Sequence, residues 1–132
     1  MEKTNFENLE IYKLSENLAV DVWNIVLEWN SLEQDTVGKQ LIRSADSIGA
    51  NIAEGSGRGT DPDYRSFLKI ARGSLYETRH WLRRAFKRKL LSEIQIATLT
   101  PTIKMITRKL NAYIRAIGTY ERKLRTDSQP KI

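Results

Sequence analysis

The chain has 132 residues, 40% of them hydrophobic and 29% charged, which suits one folded domain with a single core and is too short for two. It contains no cysteine, excluding disulfides, thiolate metal sites and thiol nucleophiles; no apolar run nears the roughly 20 residues of a membrane span, and MEKTNFENLE lacks the apolar core of a signal peptide. A cytoplasmic protein with no membrane partner is expected, and 22 basic against 16 acidic residues, a net +6, favour an anionic partner.

The apolar pattern is helical throughout, with no period-2 strand. Ile11, Leu14, Leu18, Val22, Ile25, Trp29 and Leu32 recur at three- and four-residue steps and define the buried face of a first helix. Asp35 and Thr36 are placed to cap a second, whose buried side includes Val37, Leu41, Ser44, Ala45, Ile48 and Ile52. Its small residues Ser44, Ala45, Ser47, Gly49, Ala50 and Ala53 let another backbone approach closely.

The stretch SIGANIAEGSGRG, residues 47–59, invites comparison with phosphate-binding loops. Gly49 and Gly55 are separated by five residues, Gly55 is followed by Ser56, and no apolar strand precedes them, so neither the Walker nor the dinucleotide pattern fits. Gly55, Gly57 and Gly59 instead fall between two helical patterns. They are expected to form a helix-to-helix turn, with Asp61 at the N-cap and Pro62 at the first position of the third helix. That helix has the seam Leu68, Ala71, Leu75, Thr78, Leu82 and Ala85. Ser92 is expected to cap a short lead-in, and Thr100 with Pro101 to open or reset the last helix. The last seam runs through Ile103, Ile106, Leu110, Tyr113, Ile117, Tyr120 and Leu124. Four amphipathic helices with short connections imply an all-α, antiparallel up-and-down four-helix bundle over residues 1–125, with 126–132 a flexible tail.

From Arg58 to Lys89 there are ten basic and three acidic residues, a net +7. Arg65, Lys69, Arg72, Tyr76, Arg79, Arg83 and Lys87 recur at helical spacing and are expected to form one stripe opposite the Leu68 to Ala85 seam. Arg108, Arg115 and Arg122 add a row on the last helix. Any solvated helix face carries charge at this spacing, but such faces usually mix Glu with Lys at i,i+4. Here Glu77 stands alone among nine basic residues from Arg65 to Lys89. Rows of cations suit phosphate backbones, and Tyr76 offers a stacking face.

Catalytic and cofactor signatures are thin. His80 is the only histidine and has no spaced carboxylate partner; Asp61 and Asp63 suit a helix start. No enzyme activity, metal or cofactor is expected. Glu54, at a helix end where the dipole disfavours an anion, calls for a cationic partner such as Arg58. Trp23 lies off the main seam of its helix and points mildly to oligomerisation.

FENLEIYKLS, QLIRSADSIGANIAEGSGRG and FLKIARGSLYET resemble the four-helix bundle proteins encoded in intervening sequences of bacterial 23S ribosomal RNA. The likeness covers residues 6 to about 124 and includes Asn51, Glu54 and Gly55 of the turn motif. It implies a ring-shaped homopentamer and kinship with the accessory variability determinants of diversity-generating retroelements, which bind nucleic acid and work with a reverse transcriptase. It associates no catalytic residue with the shared motif. The expectation is a non-enzymatic homo-oligomer that binds RNA or DNA through its phosphates; the alternative is an oligomeric adapter docking a protein partner such as a reverse transcriptase.

Overall fold

A computed structural model describes residues 5–128. After a 3-10 turn at Asn5–Asn8, helix α1 spans Glu10–Leu27, and helix α2 is built from Ser31–Glu33, a π turn at Gln34–Gly38 and Lys39–Ser56. Helices α3 (Asp61–Lys87) and α4 (Glu93–Ser128) complete an all-helical fold, with no strand among the described residues. Each helix packs on its neighbours in sequence, α1 also packs on α4, and the backbones of the two diagonal pairs make no close approach among the described residues. This is the four-helix circuit expected of short connections. The core gathers Ile11, Leu18, Val22, Leu41, Ile48, Ile52, Leu68, Leu75, Leu99, Ile106 and Leu110, all essentially inaccessible to water.

All six residues of the α3 seam are buried, as are the six expected on the second helix. The start of α2 differs from expectation. Its cap is Asn30, whose Oδ1 accepts from the Glu33 N–H at 2.9 Å while Glu33 Oε1 accepts from the Asn30 N–H at 3.0 Å, a reciprocal capping box. Asp35 and Thr36 lie inside the π turn, and the Thr36 hydroxyl donates to Leu32 O at 2.7 Å. Leu32 therefore belongs to the exposed first turn of α2, 73% accessible, rather than to the buried face of α1.

The glycine turn also resolves differently. Gly55 is helical and buried within α2; a Cβ there would lie 2.6 Å from Phe67 Cβ, so the residue is required by the close approach of α3 rather than by a turn. The left-handed position is Gly59, with φ of +84°. Thr60, not Asp61, caps α3: its Oγ1 accepts from the Asp63 N–H at 3.4 Å, and Pro62 follows in the first turn.

Helix α4 is one element of 36 residues, with no reset at Pro101. Ser92 does cap it, its Oγ accepting from the Gln95 N–H at 3.1 Å while Gln95 Oε1 accepts from the Ser92 N–H at 2.9 Å. The N–H that Pro101 lacks would have bonded the Ala97 carbonyl; both residues face solvent, where water can satisfy that oxygen. The expected seam holds for Ile106 and Leu110, is half-buried at Ile103 and Ile117, and fails at Tyr113, Tyr120 and Leu124, which are exposed. Glu10, at the start of α1, pairs with Lys109, and Arg65, one turn into α3, reaches Ile114. At this level the core contact passes to Ile114, 4% exposed, which leaves its neighbour Tyr113 on the outer side; Tyr120 and Leu124 lie past Ile117, the last residue of α4 packed on the core among the described residues. The helix continues through Ser128, and the rest of the expected tail lies outside the described residues.

Candidate nucleic-acid interface

The basic row of α3 does not stand opposite the core. It lies on the flank facing α4, because the core of the bundle and the α4 contact occupy adjacent sectors of one helix. Arg65 Nε donates to Ile114 O at 3.0 Å, with its guanidinium against Gly118, and Arg72 Nη1 donates to Asn111 Oδ1 at 2.8 Å. Both are half-buried fasteners between α3 and α4, a role that corrects their expected place on an open stripe.

Farther along the same seam, Arg79 and Arg83 border a cleft of about 510 Å³ between α3 and α4. Its floor is apolar: Leu82, Phe86, Ile96, Leu99 and Ile103. Lys104 and Arg108 complete the basic rim, and among the described residues no carboxylate lines it. Arg108 is steadied along its own helix, with Nη2 3.0 Å from Met105 Sδ. Lys104 and Phe86 escaped the sequence reading because a cleft between two helices is written in neither helix's own period; the available signal was the i,i+4 pairing of Lys104 with Arg108.

Lys69, Tyr76 and Lys87 are exposed, one sector farther from the seam, as are Arg115 and Arg122 on α4; Arg122 Nη2 lies 3.4 Å from Thr119 Oγ1. Arg83, Arg84, Lys87 and His80 surround a smaller hollow of about 180 Å³. His80 packs edge-on against Trp81, ring centroids 4.8 Å apart. Among the described residues no carboxylate forms an ion pair with Lys69, Arg79, Arg83, Lys87, Arg108 or Arg115. The band can therefore meet external anions without first breaking internal pairs.

The turn motif is structural in its contacts. Glu54 Oε1 pairs with Arg58 Nη2 at 3.1 Å, and the Arg58 guanidinium lies 4.9 Å over the Phe67 ring, joining the end of α2 to the start of α3. Asn51 Nδ2 donates to Ser47 O at 2.8 Å along its own helix. No group of three or more His, Cys, Asp or Glu capable of holding a metal is present among the described residues, and no helix there is long and apolar enough to cross a membrane.

Among solved structures, the fold is similar to a protein of unknown function from the S23 ribosomal protein family of Bacteroides thetaiotaomicron. The two share 25% identity and a TM-score of 0.70 over 79% of this chain and 97% of that one. No curated protein matches this chain. A sequence profile for the 23S rRNA-intervening sequence proteins matches residues 7–112, from the 3-10 turn to the middle of α4. That match takes in most of the chain and nearly all of the bundle that holds the basic seam, and the chain belongs to the 23S rRNA-intervening sequence protein family.

Proposed function

We propose that this chain is a non-enzymatic, homo-oligomeric protein that binds RNA or DNA through its phosphates. The observation that carries the reading is the band of cations along α3 and α4 that, among the described residues, has no ion-paired carboxylates: Lys69, Arg83, Lys87, Arg108 and Arg115. Arg65 and Arg72 serve the band indirectly by fixing α4 beside α3. Tyr76, 47% exposed, offers a face for stacking beside them. A ring, the assembly implied by the family resemblance, would repeat the band and raise avidity without new contacts.

The test is binding of mixed-sequence single strands and duplexes across a salt series. Phosphate recognition gives affinity nearly independent of sequence and a log-log salt slope of about 0.9 per neutralised phosphate on duplex DNA and about 0.7 on single strands. The double variant Lys69→Ala and Lys87→Ala removes two exposed cations and no fastener. It is expected to weaken binding of every sequence alike and to flatten the slope by one to two contacts' worth. Absence of wild-type binding at low salt, or a variant with unchanged affinity and slope, overturns the reading in favour of an adapter for a protein partner such as a reverse transcriptase.

A further inference from the structure

Among the surfaces that leave apolar side chains in water, two carry opposite charge. On α1, Val20, Trp23 and Leu27 follow at steps of three and four, so they form one ridge facing away from the buried Ile11, Leu18 and Val22. Each is more than half exposed. Glu16 stands one turn before Val20 on the same ridge, held at 2.8 Å by the Tyr12 hydroxyl, and Glu28 follows its end; the only cation of α1 is Lys13. The second surface is the α3–α4 cleft, with apolar floor and basic rim. Leu82 and Leu99 are buried at the base of the cleft, but a phosphate backbone on the rim would leave the exposed Phe86 and the half-buried Ile96 and Ile103 wet, so the natural occupant is apolar along the centre and acidic along the edges. The α1 ridge has that character.

The two surfaces also sit at one level. The Trp29 indole N–H donates to Leu90 O at 3.2 Å, tying the end of α1 to the end of α3. Val20 to Leu27 and Arg79 to Phe86 each occupy the last two turns below that end, roughly 11 Å of helix. Because α1 and α3 stand at diagonal corners, ridge and cleft face different directions. They cannot meet within one molecule, and a rotation about an axis parallel to the bundle brings one copy's ridge against the next copy's cleft, the head-to-tail relation from which closed rings are made.

We propose that the α1 ridge of one copy docks into the α3–α4 cleft of the next, with Trp23 covering the apolar floor and Glu16 and Glu28 facing the basic rim. The inference rests on the homo-oligomer of the preceding reading and names its interface. A cleft of about 510 Å³ is ample for an indole. The inference assigns the rim cations Arg79, Arg83, Lys104 and Arg108 to this interface and narrows the phosphate-binding band of the preceding reading to Lys69, Lys87 and Arg115, outside the cleft.

A head-to-tail interface makes a distinctive prediction, because each copy contributes two different halves. Trp23→Asp destroys only the ridge and Phe86→Asp only the cleft. By light scattering, wild type is expected as a discrete oligomer and each variant alone at the 15.3 kDa mass of one chain. An equimolar mixture of the two is expected at twice that mass and no larger, since one intact ridge and one intact cleft remain. Circular dichroism establishes that each variant is folded; should Phe86→Asp unfold, Lys104→Glu with Arg108→Glu on the rim takes its place. A wild-type oligomer that either variant leaves intact, or two monomeric variants that ignore each other, overturns this interface alone. A monomeric wild type overturns the oligomer reading as well.

Discussion

Lys89 holds φ of 62°, a left-handed conformation that costs a residue with a side chain and suits glycine. The position is forced by the way α3 ends: the Lys89 N–H donates to Phe86 O at 3.0 Å and the Leu90 N–H to Ala85 O at 2.8 Å, a Schellman closure with lysine in the glycine position. Lys89→Gly is expected to stabilise the fold by about 0.5–1 kcal/mol, read as a higher urea midpoint with an unchanged slope. Gly55 poses the reverse case. Its missing Cβ is filled by Phe67, and two atoms so close to their backbones cannot swing apart. Gly55→Ala is expected to cost about 1–3 kcal/mol although its helix propensity improves; an unchanged or higher melting temperature would mean that α2 and α3 separate more easily than this packing implies.

At the scale of the element, α4 carries the clearest anomaly, a proline inside an unbroken helix. Pro101 withholds one hydrogen bond on an exposed face, so Pro101→Ala is expected to stabilise by about 1–3 kcal/mol, measured by urea unfolding. The same helix shows what periodicity can and cannot tell. The spacing of α3 located every buried residue because that helix has neighbours along its length. The equally regular spacing of α4 named Tyr113, Tyr120 and Leu124 as core; a four-residue step from Leu110 puts Ile114 in the core in place of Tyr113, and for Tyr120 and Leu124 a period records which side chains share a face and not whether another helix is there to cover them. The cap at Asn30 was legible as Asn followed three residues later by Glu, but Leu32 fitted the α1 pattern and drew the boundary too late. Likewise, helical spacing grouped Arg65 and Arg72 with Lys69 and Lys87, although the sector between core and solvent belongs to the neighbouring helix.

For the molecule as a whole, the charge pattern is more informative than the net +6. Acidic residues gather on α1 and at its end, while α3 and α4 carry the cations, so the bundle has an acidic corner and a basic side. Concentrating like charge on one side costs stability through self-repulsion, and an anion that settles there removes the cost while adding its own binding energy. The hollow lined by His80, Arg84 and Lys87, with Arg83 shared between it and the cleft, offers a place for a phosphate group. Tripolyphosphate at low millimolar concentration, too dilute for general salting effects, is therefore expected to raise the melting temperature above that in sodium chloride of equal ionic strength. Occupancy at tenfold excess over Kd contributes about 1.4 kcal/mol, or about 4–6 °C for a domain of this size. Arg84→Ala with Lys87→Ala removes two exposed cations of that hollow and should lose at least half of the increment while leaving the melting temperature in chloride nearly unchanged. Equal increments in wild type and variant would place the anion elsewhere on the bundle. No increment in either would mean that the basic side repels itself too weakly for phosphate to matter, and would count directly against phosphate recognition by α3.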